Sequence, residues 1–227
     1  GRLQEAIEPL RAGLEIRANL KDWRECAVTA SNLSLTKLSL GRIADAARDA
    51  DQSVTFADRS RSQKRQIGLR ALFANVLHQA GKHSKALPLF REAEEMQRKF
   101  SPELPLLYST PGRVYCEFLL AGSEDEAWRN FLQVGSGNPA SRQESACRQV
   151  EQRGAQVLKW ALAHPEASLL DLALGRLTLG QTALFIAILT DSKSEHTAKL
   201  PSAHEELTRA VNGLRGAAHQ DHIPNGL

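Results

Sequence analysis

Apolar residues in this chain return every three or four positions with polar residues between them, which is the periodicity of helices that bury one face. In "WRECAVTASNLSLTKLSLG", residues 23–41, Ala27, Ala30, Leu33, Leu38 and Leu40 recur at that spacing, and after a turn Ile43, Ala46, Ala47, Ala50 and Val54 do the same. The pattern predicts an antiparallel hairpin over 22–58. A second hairpin, 63–100, follows from "QIGLRALFANVLHQAG" and "KALPLFREAEEMQRKF", where Leu69, Leu72, Phe73, Val76 and Leu77 face Ala86, Leu89, Phe90 and Ala93. Pro88 is expected in the first turn of its helix, where a missing N–H is tolerated, and Ser101-Pro102 ends that helix. Residues 1–20 read as the second half of a partial hairpin.

The next segment is less regular. In "ELPLLYSTPGRVYCEFLLAG", residues 103–122, Pro111 implies either a kink or a helix start with Thr110 as cap and Pro111 as first residue. "VGSGNPAS", 134–141, is a loop by its Gly, Asn, Pro and Ser content. After it, 141–164 reads as one long helix with Ala146, Val150, Val157, Leu158, Ala161 and Leu162 on one face. Two pairings stay open: a hairpin broken at Gly122, or one spanning 103–164 with a short inserted helix at 123–134 and an irregular stretch near 123–141. A last hairpin, 166–218, is built from helices at 166–190 and 201–218, after which "DHIPNGL" opens a further helix.

The turns repeat. "GRLQEA", "GRIADA", "GKHSKA" and "GSEDEA" place Gly1, Gly41, Gly81 and Gly122 at intervals of 40, 40 and 41, each followed five residues later by Ala6, Ala46, Ala86 and Ala127. A period in this range marks stacked supersecondary units. The middle hairpins resemble the tetratricopeptide repeats, through Gly81, Ala86, Phe90, Ala93 and the small Ala74, and through Gly41, Ala46, Ala50, Ser53 and Ser34. The resemblance implies a single repeat domain over 1–227: an all-α, right-handed superhelical stack of about nine or ten antiparallel helices, an α-solenoid with no sheet. The period of about forty exceeds the family's usual spacing and implies longer helices or linkers. A narrower resemblance, over 85–227, rests on "RVYCEFLLAG", "SLLDLALGRLTLGQTAL" and "AVNGLRGAAHQDHIPNGL". These stretches are similar to the C-terminal tetratricopeptide regions of bacterial signalling NTPases of the NACHT and STAND type. That likeness implies a piece of a longer array that senses a partner and passes its state to an effector module in the same full-length chain.

Family geometry places the first helices of successive hairpins on a concave face, and with them Asn32, Asn75, His78, Gln79 and Arg113 as partner-binding residues. Asn75, His78 and Gln79 share one side of a helix and offer amides and an imidazole to a peptide backbone. The family's carboxylate clamp needs a lysine where Ala71 stands, so clamp-type binding is not expected.

Composition narrows the remaining choices. The 227 residues are 42% hydrophobic, 24% charged and 5% aromatic, with a net charge of +3 that provides no concentrated polyanion-binding face. The basic run "RSRSQKR", 59–65, lacks interleaved aromatics and reads as a solvated linker, which makes a nucleic-acid-binding module the alternative to a protein-binding one. Cys26, Cys116 and Cys147 are widely spaced, as suits reduced thiols in the cytoplasm, and the charged opening of the chain is not a signal peptide. The apolar stretch 168–190 carries Asp171, Arg176 and Gln181, and each charge at a bilayer centre costs roughly 2.5–3.5 kcal/mol, so it is expected to be a buried helix and no membrane partner is expected.

No catalytic constellation emerges. Gly81-Lys82 lacks the earlier glycine and following hydroxyl of a phosphate loop. His219 and His222 lack further metal ligands. Glu94-Glu95, Glu205-Glu206, Glu117 and Asp171 are read as solvated or poorly placed for acid–base work. The expected function is a non-catalytic interaction module with no cofactor and no metal, binding a peptide or protein.

Overall fold

The computed structural model describes residues 2–132, 140–164, 167–190 and 192–218, with the side chains of 140–142 outside that set. Among the described residues there are nine helices and no strand, as the periodicity predicts. Their contacts gather into two compact units, Gly1–Leu107 and Tyr108–Leu227.

Unit 1 holds α1 (Leu3–Asn19), α2 (Trp23–Ser39), α3 (Ile43–Ser60), α4 (Gln63–Gln79) and α5 (His83–Phe100). Each packs on its neighbour in sequence, and α2 also meets α4. The turns between them follow one rule. Lys21, Gly41, Arg61 and Gly81, spaced twenty residues apart, all take the left-handed conformation, with φ of 57°, 73°, 52° and 70°. After three of these turns the N–H of Asp22, Arg42 or Lys82 returns to the carbonyl five residues back, of Arg17, Lys37 or Leu77, at 2.8–3.0 Å. This arrangement satisfies carbonyls that a helix end otherwise leaves bare. Glycine enters the left-handed region freely, whereas Lys21 and Arg61 do so against the steric preference of a side chain.

Small residues let the hairpins close. Ala27, Ala46, Ala57, Ala74, Ala86 and Ala93 are fully buried, and Ser34 on α2 donates its hydroxyl to the Ala46 carbonyl on α3 at 2.8 Å. Larger side chains fill the space left over, with Ile7, Leu14, Leu33, Phe56 and Leu69 in one cluster and Phe90 buried in the second hairpin. Three ion pairs brace the stack: Lys37 reaches Asp49 at 2.5 Å across α2 and α3, and Arg70 on α4 holds Asp58 of α3 at 2.8 Å and Glu92 of α5 at 2.7 Å. Pro88 is the sixth residue of α5, one turn deeper than its expected place.

Unit 2 is organised around one helix. Here α8 (Leu169–Leu189) packs against α6 (Ser109–Leu132), α7 (Ala140–Ala163) and α9 (Lys193–Gly216). It is the one helix among the described residues long and apolar enough to cross a membrane, and 67% of its most apolar window is buried inside the protein. Ser168 caps it and Asp171 completes a reciprocal capping box. Glycines set its distance from its neighbours: a Cβ on Gly180 would lie 2.7 Å from Leu207, and one on Gly213 of α9 would lie 2.9 Å from Ala173.

Two expectations change in this unit. The helix begins at Ser109, so Thr110 is already inside it and Pro111 falls in its first turn, where its absent N–H has no partner to lose. Then α6 runs unbroken through Gly122 to Leu132, so no turn falls at Gly122 and residues 123–132 belong to α6, while 133–139 lie outside the described residues. Gly122 instead serves a helix contact, since a Cβ there would stand 3.2 Å from the Gln143 side chain of α7, and Ser123 beside it donates to the Gln143 carbonyl at 3.0 Å. The last helix starts at Lys193, eight residues before its expected start, and carries Pro201 in its interior.

Candidate functional site

Short turns and antiparallel pairing make α2 and α4 parallel neighbours, and Glu25 meets Arg65 at 3.5 Å where both helices begin. These partners are 40 residues apart, one full repeat. The same interval relates the surfaces of the two helices. All four exposed residues of α2, Arg24, Asn32, Leu35 and Ser39, fall on one line at i, i+4 and i+3 steps, with half-buried Val28 completing it. Forty residues on, Lys64, half-buried Gly68, Leu72 and Asn75, and exposed Gln79 trace the equivalent line on α4.

This face collects three of the five residues expected to bind a partner. Asn32 and Gln79 are exposed on it, and Asn75 lies half-buried within it. The Asn75 amide oxygen is buried and has no hydrogen-bond partner among the described residues. A buried amide oxygen left bare costs about 1–3 kcal/mol, so the position is one that a donor from outside would relieve. His78 is turned to the edge, half-buried, with its ring edge-on to His83 across the α4–α5 turn at 5.0 Å between centroids.

Arg113 is elsewhere. Its side chain is 1% exposed in unit 2, paired with Glu117 at 2.8 Å and donating to Gln181 of α8 at 2.6 Å and Thr178 at 3.4 Å. It ties α6 to α8, apart from the α2–α4 face, and presents no charge to solvent. Nothing local in the sequence announces this, because its two helix partners lie 65 and 68 residues away.

The basic run 59–65 is divided by the fold. Arg59 lies over the Trp23 ring at 5.1 Å, while Trp23 stacks on Phe56, and Arg65 is engaged by Glu25. Arg61 is the left-handed residue of the α3–α4 turn and Lys64 heads the exposed line of α4. A separate open depression of about 670 Å³ lies along α3 between Arg48 and Arg59, with Phe56 at its base and both acidic and basic side chains on its walls.

The acids considered for catalysis have structural work. Glu94 accepts the Leu107 N–H at 3.0 Å, Glu95 pairs with Arg98, Glu206 with Arg176 at 3.0 Å, and Glu205 with Arg209 at 2.5 Å. Glu94 and Glu206 are therefore tied into the fold where solvated acids were expected. Burial pushes the thiols of Cys26 and Cys147 above their ordinary range, away from the thiolate that nucleophilic chemistry needs. Among the described residues no three metal-ligating side chains converge, and His219, Asp221 and His222 lie outside those residues. A scan against family models finds none that matches this chain, and a search of curated proteins finds no match either.

Proposed function

We propose that unit 1 is a non-catalytic, tetratricopeptide-like recognition module whose α2–α4 face binds an extended segment of a partner protein. The observation that carries this reading is the bare amide oxygen of Asn75, set on a face where two parallel helices repeat the same exposed positions. An extended peptide has an unpaired N–H at every residue and can satisfy that oxygen without a demand on its own side chains. Asn32 and Gln79 add two further amides on the same face. In this reading the chain is the sensing part of a larger signalling protein in the cytoplasm, of the kind in which such arrays report to an NTPase.

The test is a partner found by cross-linking and then measured in solution against Asn32→Ala/Asn75→Ala/Gln79→Ala. The affinity should fall about tenfold or more, since truncating central contacts of an interface typically costs over 1 kcal/mol each. Stability should stay within about ±0.5 kcal/mol per site, because none of these side chains holds a helix to its neighbour. A partner that binds the triple variant as tightly as the parent removes this face as the site. A nucleic-acid partner is the second reading, favoured by the exposed Arg61 and Lys64, and it predicts affinity that falls steeply with salt.

A further inference from the structure

At the end of unit 1 where α2 and α4 begin, four cations stand in two pairs one repeat apart: Lys21 with Arg61, and Arg24 with Lys64. All four are exposed, and among the described residues none has an ion pair or hydrogen bond from its side chain. The neighbouring carboxylates are already engaged: Asp22 caps the Glu25 N–H at 3.2 Å, Glu25 meets Arg65, and Asp58 is held by Arg70. The positive ends of two parallel helices point to the same place, which deepens the local potential for an anion.

Backbone conformation makes an independent case. Lys21 and Arg61 occupy the left-handed region at the two turns of this end, while the two turns at the opposite end use Gly41 and Gly81 for the same conformation. Glycine would serve all four turns without strain. Strained residues that keep a charged side chain where glycine fits better are found where the side chain has a use. The apolar part of the face begins further along: Leu72 lies eight residues from Lys64, and Leu35, 38% exposed, lies eleven from Arg24. At about 1.5 Å per residue of helix these separations are roughly 12–16 Å, a span that an extended peptide covers in about four or five residues.

We infer that the segment bound on the α2–α4 face carries a pair of acidic residues, held by Lys21, Arg24, Arg61 and Lys64, and an apolar side chain about four residues away, seated on Leu35 and Leu72. This rests on the peptide-binding reading above and specifies its partner. A quartet of cations selects against basic segments as well as for acidic ones, and like charges across the face oppose the wrong ligand.

The probes are fluorescein-labelled peptides with a Glu-Glu pair and one Leu separated by a varied number of Gly-Ser residues, a matched series with Lys-Lys, and a short single-stranded oligonucleotide. With the full chain, affinity should peak at a separation of about four residues, and should fall about tenfold or more in the Lys-Lys series. Arg24→Glu/Lys64→Glu should lose the preference for Glu-Glu over Lys-Lys, and Arg24→Lys/Lys64→Arg should restore it. Lys21→Gly/Arg61→Gly should weaken Glu-Glu binding at an unchanged or raised melting temperature, which separates a recognition role from a structural one. Leucine peptides that bind regardless of the acidic pair, yet are lost in Asn32→Ala/Asn75→Ala/Gln79→Ala, overturn this inference and leave the peptide-binding reading in place. An oligonucleotide that binds more tightly than any peptide assigns the quartet to phosphate and overturns it too. If no probe of any series binds, both readings fall.

Discussion

At the scale of single residues, unit 1 is governed by which side chains tolerate a left-handed turn and which tolerate full burial. Gly41 and Gly81 have open space where a Cβ would point, so only backbone strain opposes a larger residue there. Replacing either by alanine should cost about 1–2 kcal/mol, measured by denaturant melts. Ala74 is different, because it is fully buried between helices with no room to give. Ala74→Leu should destabilise by about 1–3 kcal/mol through overpacking, with a lowered melting midpoint and an unchanged denaturant slope. Both sites were legible in the sequence, since the glycine and alanine spacing follows the repeat. Helical spacing grouped Asn75, His78 and Gln79 on one side of their helix, and only the likeness to the repeat family set Asn32 beside them; of the three, His78 is turned to the edge against His83. The fate of Arg113 was not, because a buried arginine and an exposed one look alike until Glu117, Thr178 and Gln181 are brought around it.

At the scale of helices, unit 1 is regular because each turn carries its own local signal, with a left-handed residue every twenty positions. Unit 2 departs where a signal has two meanings. Gly122 and Ala127 imitate the turn cadence, yet glycine inside a helix is tolerated when a neighbouring helix uses the space, and Gln143 of α7 does so. The same use of glycine makes Gly180→Ala a sharp probe of α8 and α9. Its new methyl would sit 2.7 Å from the Leu207 Cγ and 3.0 Å from the Leu207 backbone nitrogen, and should cost about 1–3 kcal/mol in a thermal or denaturant melt. A third contact, between α7 and α9, answers to pH. Arg148 accepts no proton in this range and donates to Glu195 at 2.9 Å, which holds that carboxyl below its ordinary range. A lowered folded-state value means the contribution is fully present above the unfolded value and is lost as pH falls through the folded one. The melting temperature of Glu195→Gln should therefore lie below that of the parent at neutral pH, and the two should converge in acid once the parent's carboxyl is protonated.

At the scale of the whole molecule, each unit has its own buried cluster, with Ile7, Leu33 and Phe56 among those of unit 1 and Cys147, Val150 and Ile186 among those of unit 2. Leu107 closes unit 1, buried and with its N–H held by Glu94. Residues 1–107 expressed alone should keep their helical circular dichroism and melt cooperatively, whereas a broad, non-cooperative transition would show that unit 1 borrows its stability. Within that unit the left-handed turns every twenty residues have a mechanical meaning. A chain whose helices lean mainly on their sequence neighbours, with no strand shared between distant segments, has little to resist being peeled from one end. Drawn out by its termini, unit 1 should yield in even steps rather than in one rupture, each hairpin of 40 residues releasing about 130–145 Å of contour length. The spacing of its turns would then be read directly as the spacing of a force trace.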